Sequence, residues 1–383
     1  MPLVPMRQIL DEAAKGGYGV GAFNVNNMEQ IQAIMEAAND TDSPVIIQAS
    51  RGALKYSKMI YLKKLMEAAV EEYPQIPVAM HLDHGNSVET CLQAIELGFT
   101  SVMIDGSLDE SGKKPNKYEQ NVAVTKKVVE LAHPLGVTVE GELGCLGGIE
   151  DGHGAGLSTE EVNTHLTDPK QAEEFVALTG VDALAVAIGT SHGAYKSGRV
   201  DPKTGEVLPP VLAMDRIHEI HERMPNCHMV MHGSSSVPPE LTNEVNAHHA
   251  VQRVDGDPAK LRFMGKVFNL HDALDMAAFL MTLTTQNRMP GTQGVPLEQI
   301  ADGIRHGVRK VNVDTDSRLA ITGAILRVFA ESPGKFDPRD YLKPAREAAY
   351  KVYVERMKAF GQAGHARDYA PMTLGDMKAV YGK

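Results

Sequence analysis

An alternation of short apolar segments with longer amphipathic segments runs through this chain and most constrains what it can fold into. The apolar segments are too short for helices and are apolar on both faces, which is typical of parallel strands covered by helices. The sequence predicts eight such strands, near residues 19–24, 44–50, 77–83, 101–105, 137–142, 183–189, 228–232 and 308–314. Eight strands close a (β/α)8 barrel, whereas a doubly wound sheet, the alternative, needs fewer. We therefore predict an α/β fold, a (β/α)8 TIM barrel with additional C-terminal helices.

Helical segments follow most of the predicted strands and continue beyond the last one. The barrel helices are predicted at 27–39, 57–72, 88–97, 117–135, 169–178, 211–223 and 238–247. Helices at 316–331, 341–361 and 373–381 would extend the fold outside the barrel. Two long glycine-rich connections, 143–168 and 190–210, are typical of functional lids in a compact domain.

The charge, hydropathy and cysteine content of the chain exclude several classes of protein. A net charge of −11 argues against a nucleic-acid partner. No apolar run approaches the ~18 residues of a membrane helix, and the N-terminus lacks a signal pattern, so we expect no membrane association. The three cysteines, Cys91, Cys145 and Cys227, form no CxxC pair, which favours a reducing cytoplasm over a disulfide framework.

Four potential metal ligands lie at the ends of different predicted strands: His84, Glu142, His192 and His232. Imidazole and carboxylate without thiolate suit a catalytic Zn²⁺ or a similar divalent ion. A barrel would gather them at one mouth, because its active site lies at the carboxyl ends of the strands. Asp83 adjoins His84, and neighbours on a regular strand point to opposite faces. Both can reach one site only if the strand ends at this point.

Further carboxylates flank these ligands. A metal that polarises a carbonyl moves no protons, so acid and base groups are needed beside it. Asp83 lies in an apolar strand and is a candidate for that role, whereas Glu150, in a glycine-rich loop, is first interpreted as a solvated acid. Glu140 and Asp105 also lie at strand ends, where they would either orient the ligands or replace one of them.

Two segments near the last strands indicate a phosphate site. Gly233-Ser-Ser-Ser follows the seventh strand and offers backbone N–H groups and hydroxyls. Barrels often bind phosphate with the loops after strands seven and eight. Lys310, Asn312 and Asp314 alternate along the eighth strand and share one face, and the flanking valines favour the barrel interior for that face.

Seven motifs carry a resemblance to a known family. In unbroken order they are Phe23-Asn-Val-Asn, His81-Leu-Asp-His-Gly, Val139-Glu-Gly-Glu-Leu-Gly, Gly147-Gly-Ile-Glu-Asp-Gly, Gly189-Thr-Ser-His-Gly, His232-Gly-Ser-Ser and Val311-Asn-Val-Asp-Thr-Asp. Together they resemble class II, metal-dependent fructose-1,6-bisphosphate aldolase, and look closest to the subgroup of Calvin-cycle and related bacterial enzymes. The resemblance covers about 1–245 and 294–383.

The resemblance implies a role for each matching polar residue. The Zn²⁺ ligands would be His84, His192 and His232, with Glu142 as a further or alternating ligand, and Asp105 would belong to a second or alternative site. Asp83 would handle the proton on the C4 hydroxyl. Glu150 would remove the proton from the dihydroxyacetone phosphate carbon, which replaces its interpretation as a solvated acid. Asn312 would help to hold the enediolate. The implied substrate contacts are Asn24, Ser50, Gly193, Gly233, Ser235, Asp314, Thr315 and Arg339.

The resemblance also implies partners and further ions. Arg339 is similar to an arginine that binds the distal phosphate from a partner subunit, so a homodimer or homotetramer is expected. The carbonyls of Ser191, Gly193 and Gly233 would face a monovalent cation, Na⁺ or K⁺, and the resemblance also allows a second divalent ion. The substrate would be a phosphorylated sugar, with neither nucleic acid nor membrane as a partner.

The implied reaction is reversible cleavage of fructose 1,6-bisphosphate to dihydroxyacetone phosphate and glyceraldehyde 3-phosphate through a Zn-stabilised enediolate. It would serve glycolysis, gluconeogenesis or the Calvin cycle in the cytoplasm. Tagatose-1,6-bisphosphate and sedoheptulose-1,7-bisphosphate aldolases share the mechanism and stay open as alternatives. Two other classes are a barrel metallo-hydrolase, which Asn24-Val-Asn26 on the first strand disfavours, and a Schiff-base aldolase that uses Lys310 as nucleophile.

One segment departs from the resemblance. We expect residues 1–383 to form a single barrel domain with an unusual insertion at about 246–293 and a C-terminal helical extension at about 332–383. Apolar residues at 270, 274, 277, 280 and 281 predict an amphipathic helix inside the insertion. Its histidines, His248, His249 and His271, are interpreted as solvated or packing residues.

Overall fold

Eight parallel strands form a closed barrel at the centre of the computed structural model, which confirms the predicted fold class. The structure describes residues 3–111, 114–144, 166–192, 199–200, 203, 207–247, 252–254, 256–263, 266–285 and 294–382. The strands are β1 (Val20–Asn24), β2 (Val45–Ser50), β3 (Val78–Gly85), β4 (Ser101–Ile104), β5 (Thr138–Leu143), β6 (Ala183–Val186), β7 (His228–Met231) and β8 (Val308–Val313). Each strand pairs with its neighbours in chain order, and β8 closes the barrel against β1.

Helices surround the barrel and extend beyond its last strand. Many begin at a polar side chain that accepts a backbone N–H, as Asn27 does from Gln30 and Ser87 does from Thr90. The α-helices are Met6–Gly16, Met28–Asp40, Arg51–Ser57, Met59–Glu72, Val88–Glu96, Tyr118–Ala132, Pro169–Thr179, Met214–Arg223, Pro239–Ala247, Ala273–Thr285, Leu297–Arg305, Thr315–Glu331, Pro338–Ala359 and Leu374–Tyr381.

Three of these helices differ from the sequence prediction. The helix predicted at 57–72 is present as Met59–Glu72, and a separate helix that was not predicted, Arg51–Ser57, precedes it. Lys58, between the two, adopts a positive φ of 56° that interrupts the helical backbone. The helices Met6–Gly16 and Leu297–Arg305 were not predicted. The N-terminal helix contributes buried residues, Met6 among them, to the same apolar cluster as the barrel interior.

The helices after β8 are packed onto the barrel. Helix Pro338–Ala359 contacts helices Met28–Asp40 and Thr315–Glu331. Its Arg356 is buried and donates from Nη2 to Asp316 Oδ2 over 3.0 Å. This ion pair anchors the C-terminal extension to the helix that follows the last barrel strand.

The segment that the sequence marked as an insertion carries its own small sheet. Strands Gln252–Val254, Asp257–Phe263 and Lys266–Asn269 pair antiparallel, and helix Ala273–Thr285 follows. Phe268 and Phe279 pack together with ring centroids 5.5 Å apart. The predicted helix is present from Ala273 onwards, whereas the strands were not predicted, since Asp, Pro and Lys are disfavoured in strands.

Several residues singled out in the sequence lie away from the barrel mouth or beyond the described ranges. His271 is exposed, and His248 and His249 lie outside the described residues. Cys91 and Cys227 are buried free thiols. Within the part of the chain that the structure covers, no helix is both long and apolar enough to cross a bilayer.

Candidate metal centre and active site

The carboxyl ends of the barrel strands bring the predicted ligands together. His84 lies on β3, Glu142 on β5, His192 in the segment after β6, and His232 directly after β7. His84 has a positive φ of 49°, which is uncommon for a residue other than glycine. The sequence analysis expected the strand to end here, but β3 continues to Gly85. Instead, this backbone conformation and an irregular register between Leu82 and Gly85 allow the adjacent Asp83 and His84 to reach one site.

Three imidazoles converge at the mouth. Ligand nitrogens of His84, His192 and His232 all lie within 4.8 Å of one another. Nδ1 of His232 is 3.1 Å from Nε2 of His84, and the two rings are nearly perpendicular at 80°. Three histidine ligands around one open position are a donor set that catalytic zinc sites use, so the residues present fit a divalent metal.

A carboxylate group adjoins the imidazoles through His84. Nδ1 of His84 lies 3.4 Å from Asp105 Oδ2 and 3.9 Å from Glu142 Oε2. The three residues form a second set with ligand atoms within 4.8 Å of one another. Buried Glu142 Oε2 has no hydrogen-bond partner among the residues described. An orphaned buried carboxylate oxygen beside a histidine is an environment that a cation would satisfy.

The pKa values of Glu142 and His84 are shifted because several charged groups lie close together in a buried site. Burial and the negative charge of Asp105 raise the pKa of Glu142 well above its usual range. Burial alone would lower the pKa of His84, but the charge of Asp83, a hydrogen bond to Asp105 and the charge of Glu142 raise that pKa to about 10. In the metal-free protein the imidazolium of His84 therefore supplies positive charge that a bound cation would replace.

Asp83 is held by three amide side chains. Nδ2 of Asn24 donates to Asp83 Oδ2 over 2.9 Å, and Nε2 of Gln48 donates to the same oxygen over 3.1 Å. Nδ2 of Asn312 lies 3.4 Å from Asp83 Oδ1. Burial would raise the pKa of Asp83, but the neighbouring charges of His84 and other cationic groups keep it below its usual range. The carboxylate is therefore ionised and fixed in orientation.

Gln48 is a site residue that the sequence analysis missed. It is buried on β2 and also donates to Asn24 Oδ1 over 2.6 Å. Its position could have identified it. Gln48 and Ser50 are the polar residues of β2, and residues two apart on a strand share a face. A polar residue at an inward position of a barrel needs a partner.

A second polar group lies one layer below the mouth. Nε2 of His232 is 2.9 Å from Glu140 Oε1, while Nζ of Lys310 is 2.9 Å from Glu140 Oε2. His81 Nε2 lies 3.4 Å from the same Oε2. Burial would raise the pKa of Glu140, but Lys310 and the hydrogen bond from His232 lower it to about 2. Lys310 and Asn312 point inward as predicted, and Asp314 lies just beyond the end of β8.

The predicted phosphate segments are also adjacent. Oγ of Ser235 accepts from the backbone N–H groups of Asp314 and Thr315, over 3.3 and 3.2 Å, where helix Thr315–Glu331 begins. Gly233 has a φ of 62°, and a Cβ there would lie 2.6 Å from the carbonyl oxygen of Ser191. Only glycine allows the two loops to approach so closely.

The structure places two of the remaining predicted residues, Ser50 and Arg339, in different surroundings. Ser50 ends β2 beside Asp83 in the sheet register, and its Oγ accepts from the N–H of Ala53. The side chain of Arg339 is 89% exposed and pairs with Asp337, with Nη2 2.6 Å from Oδ2. Glu150 and Gly193 lie outside the described residues.

Comparison with known proteins identifies a family that this chain matches. A model of the family described as class-II fructose-bisphosphate aldolase matches residues 4–365. Fructose-bisphosphate aldolase of Nostoc commune is 50% identical over 390 residues, covering 100% of this chain and 96% of that protein. The enzyme of the same name from Xanthobacter flavus is 50% identical over 387 residues, covering 100% and 97%. The crystal structure of the YdjI aldolase from Escherichia coli K12 is 25% identical, with a TM-score of 0.65, and covers 95% of this chain and 100% of that one.

Proposed function

The chain belongs to the class-II fructose-bisphosphate aldolase family, and from this premise we propose that its barrel mouth cleaves fructose 1,6-bisphosphate reversibly. The products are dihydroxyacetone phosphate and glyceraldehyde 3-phosphate. The observation that carries the proposal is the convergence of three imidazoles beside a fixed, ionised carboxylate, Asp83. A retro-aldol cleavage needs both charge stabilisation at a carbonyl oxygen and a base at the hydroxyl that becomes the new carbonyl.

The metal of this proposal is Zn²⁺, held by His84, His192 and His232. Glu142 is the further ligand, and Asp105 belongs to the second set around His84. When bound, the ion supplies a Lewis acid for the negative charge that develops on the carbonyl oxygen of the sugar. Support comes from the donor set, which is imidazole and carboxylate without thiolate.

Asp83 takes the proton of the C4 hydroxyl as the C3–C4 bond breaks. Its low pKa keeps it ionised, and the amides of Asn24, Gln48 and Asn312 fix the direction of its lone pairs. Asn312 also lies 3.2 Å from His232 Nδ1, so its amide is placed to donate to an oxygen of the substrate near the metal ligands. The role of Glu150 at the dihydroxyacetone phosphate carbon stays a prediction.

Phosphate binding is assigned to the loops after β7 and β8. The backbone N–H groups of Asp314 and Thr315 and the hydroxyl of Ser235 lie together at the start of a helix, where the helix dipole favours anions. Such local sites are needed because the net charge of the chain is −11. Asn24, Ser50, Gly193 and Gly233 complete the proposed substrate contacts.

Several finer expectations rest on the resemblance alone. Arg339 would complete the distal phosphate site of a partner subunit in a homodimer or homotetramer, and its 89% exposure leaves it accessible for that role. A monovalent cation near the carbonyls of Ser191, Gly193 and Gly233, a cytoplasmic location and a place in glycolysis, gluconeogenesis or the Calvin cycle also stay predictions.

A coupled assay of fructose 1,6-bisphosphate cleavage tests the proposal. We expect activity in the purified protein, loss of that activity with EDTA, and its return when Zn²⁺ is restored. Activity that EDTA leaves unchanged would contradict the metal-dependent reaction. The same assay with tagatose 1,6-bisphosphate and sedoheptulose 1,7-bisphosphate identifies the preferred sugar, and cleavage of one of these alone would reassign the substrate.

A further inference from the structure

The layer of the barrel interior directly below the mouth is polar where barrels are usually apolar. Bulky branched apolar residues normally fill this position. Here His81, Glu140 and Lys310 are each 0% exposed. A buried charge pair is often no more stabilising than a well-packed apolar replacement. The presence of these residues therefore calls for a role other than stability.

A series of contacts in this layer connects Lys310 on β8, through Glu140, to the candidate metal ligand His232. Lys310 Nζ lies 2.9 Å from one oxygen of Glu140, and Nε2 of His232 lies 2.9 Å from the other oxygen. The opposite ring nitrogen of His232, Nδ1, faces Nε2 of His84 at 3.1 Å. The carboxylate of Glu140 thus occupies one nitrogen of His232 and leaves the other directed at the mouth.

Lys310 is the group that compensates the charge of Glu140. Among the described residues, the other ionisable side chains that face this carboxylate are the imidazoles of His81 and His232. Nδ1 of His81 lies 2.8 Å from Ser101 Oγ, so this ring is engaged on its far side by a neutral hydroxyl. Without Lys310, Glu140 would be a buried carboxylate without a cationic side chain in contact, which is strongly unfavourable.

We propose that Lys310 and Glu140 form a positioning pair for the metal site. Lys310 holds the Glu140 carboxylate, and Glu140 holds Nε2 of His232, so that His232 presents Nδ1 to the ion. The inference deepens the proposed metal-dependent function and rests on it. It also gives Lys310 a role other than that of a covalent nucleophile, since its ammonium is enclosed and engaged by Glu140.

The first test is the Zn²⁺ dissociation constant of Lys310→Met, measured by competition with a chromogenic chelator. Partners that orient a metal-bound histidine typically contribute about 10–100-fold to metal affinity, and we expect a loss of that size. Arg309→Met is the matched control. Arg309 is the neighbouring buried cation on β8, but its Nη1 donates to backbone carbonyls of Ile304 and Val308. This control should keep the wild-type Zn²⁺ affinity.

A double-variant cycle decides whether Lys310 acts through Glu140. We expect Glu140→Gln and Glu140→Gln/Lys310→Met to bind Zn²⁺ equally weakly, because Lys310 has nothing left to hold once the carboxylate is gone. The double variant carries no buried charge in this layer, so it tests the proposal even if Lys310→Met does not fold. Lys310→Arg, which keeps the positive charge, should bind Zn²⁺ better than Lys310→Met.

Three results would overturn the proposal. They are an unchanged Zn²⁺ affinity in folded Lys310→Met, a Zn²⁺ affinity in the double variant at least tenfold weaker than in Glu140→Gln, and a borohydride-reduced substrate adduct on Lys310. The chelator competition needs no sugar. A protein that binds Zn²⁺ through this pair but cleaves no bisphosphate would therefore refute the proposed reaction and leave the positioning pair intact.

Discussion

Glu140 and Glu142 lie two residues apart on β5 and on the same inward face, yet their surroundings are opposite. Glu140 has Lys310 against one oxygen and His232 against the other, and its pKa is lowered to about 2. Oε2 of both residues lacks a hydrogen bond among the described residues, but Glu142 Oε2 lies 3.9 Å from His84 Nδ1 instead of 2.9 Å from an ammonium, and the pKa of Glu142 is raised well above its usual range. The carboxylate of the lower layer is paired with an ammonium inside the protein, whereas two carboxylates of the mouth layer, Asp105 and Glu142, share the imidazole of His84.

This difference shows how one strand can carry both a carboxylate that is paired within the protein and a carboxylate that is available to an ion. Buried polar groups without partners persist where a ligand or ion completes them. The lower layer, whose carboxylate is paired with Lys310, can keep its geometry when the metal leaves. The mouth layer can then exchange an ion or a substrate without disturbing the barrel. Variants in the mouth layer should therefore change metal binding and activity, whereas variants in the lower layer should also change the stability of the metal-free protein.

The largest expected effect is on the mouth layer. We predict that His192→Ala removes both bound zinc and aldolase activity, because it takes one of three converging imidazoles away. Zinc content by atomic absorption and the coupled assay measure the two losses. His271→Ala, at an exposed histidine of the segment after helix Pro239–Ala247, is the control and should keep both. A His192→Ala protein with full zinc and normal turnover would rule out this ligand assignment.

The next effect is on proton transfer alone. We predict that Glu150→Gln keeps zinc but slows proton exchange at dihydroxyacetone phosphate by ~10²–10⁴, the usual size of a general-base contribution. Loss of deuterium from labelled dihydroxyacetone phosphate, followed by NMR, measures the rate. Asp151→Asn, at the next acidic residue in the sequence, is the matched control. An unchanged exchange rate in Glu150→Gln would return Glu150 to the solvated acid that its sequence context first indicated.

The sequence was sufficient to predict the barrel and most of the mouth. All eight strands occur where apolar segments predicted them, because each must be covered on both faces. The convergence of His84, His192 and His232 followed from their places at strand ends, once the strands belonged to a single barrel. The adjacency of Asp83 and His84 indicated an irregular backbone at this point, but the expected end of the strand was wrong, because β3 continues to Gly85 and His84 adopts a positive φ within it.

Long-range pairing was harder to predict. Gln48 was missed because its partners, Asn24 and Asp83, come from two other strands and only the barrel register brings them together. From the sequence, Glu140 could either orient the metal ligands or replace one of them. Its contact with Lys310 distinguishes these roles, but the two residues are far apart in the chain. The small sheet at 252–269 was missed because its strands carry charged residues and a proline, which weaken the local strand signal.

The third prediction concerns the stability of the lower layer. We predict that Glu140→Gln lowers the free energy of unfolding of the metal-free protein by about 3–5 kcal/mol, since it leaves the buried Lys310 ammonium without its carboxylate. Urea unfolding in EDTA measures the change. Adding Lys310→Met should recover much of the loss, because no uncompensated charge remains. Equal stability of wild type and Glu140→Gln would show that the Lys310–Glu140 ion pair does not stabilise the fold.

The smallest expected effect has the opposite sign and lies in the mouth layer. We predict that Glu142→Gln raises the unfolding free energy of the metal-free protein at pH 7 by about 1–3 kcal/mol, the cost of leaving a buried acceptor unsatisfied. The folded state holds the Glu142 proton above pH 4.5, the ordinary pKa value at which the unfolded chain releases it. This contribution to stability is therefore complete below pH 4.5 and is lost as the pH rises through the raised pKa.

Urea unfolding in EDTA across that range should show wild type losing stability relative to Glu142→Gln. Saturating Zn²⁺ should reverse the order, because the ion then compensates the carboxylate. A Glu142→Gln protein that is less stable than wild type without metal would mean that Glu142, like Glu140, is already satisfied within the protein.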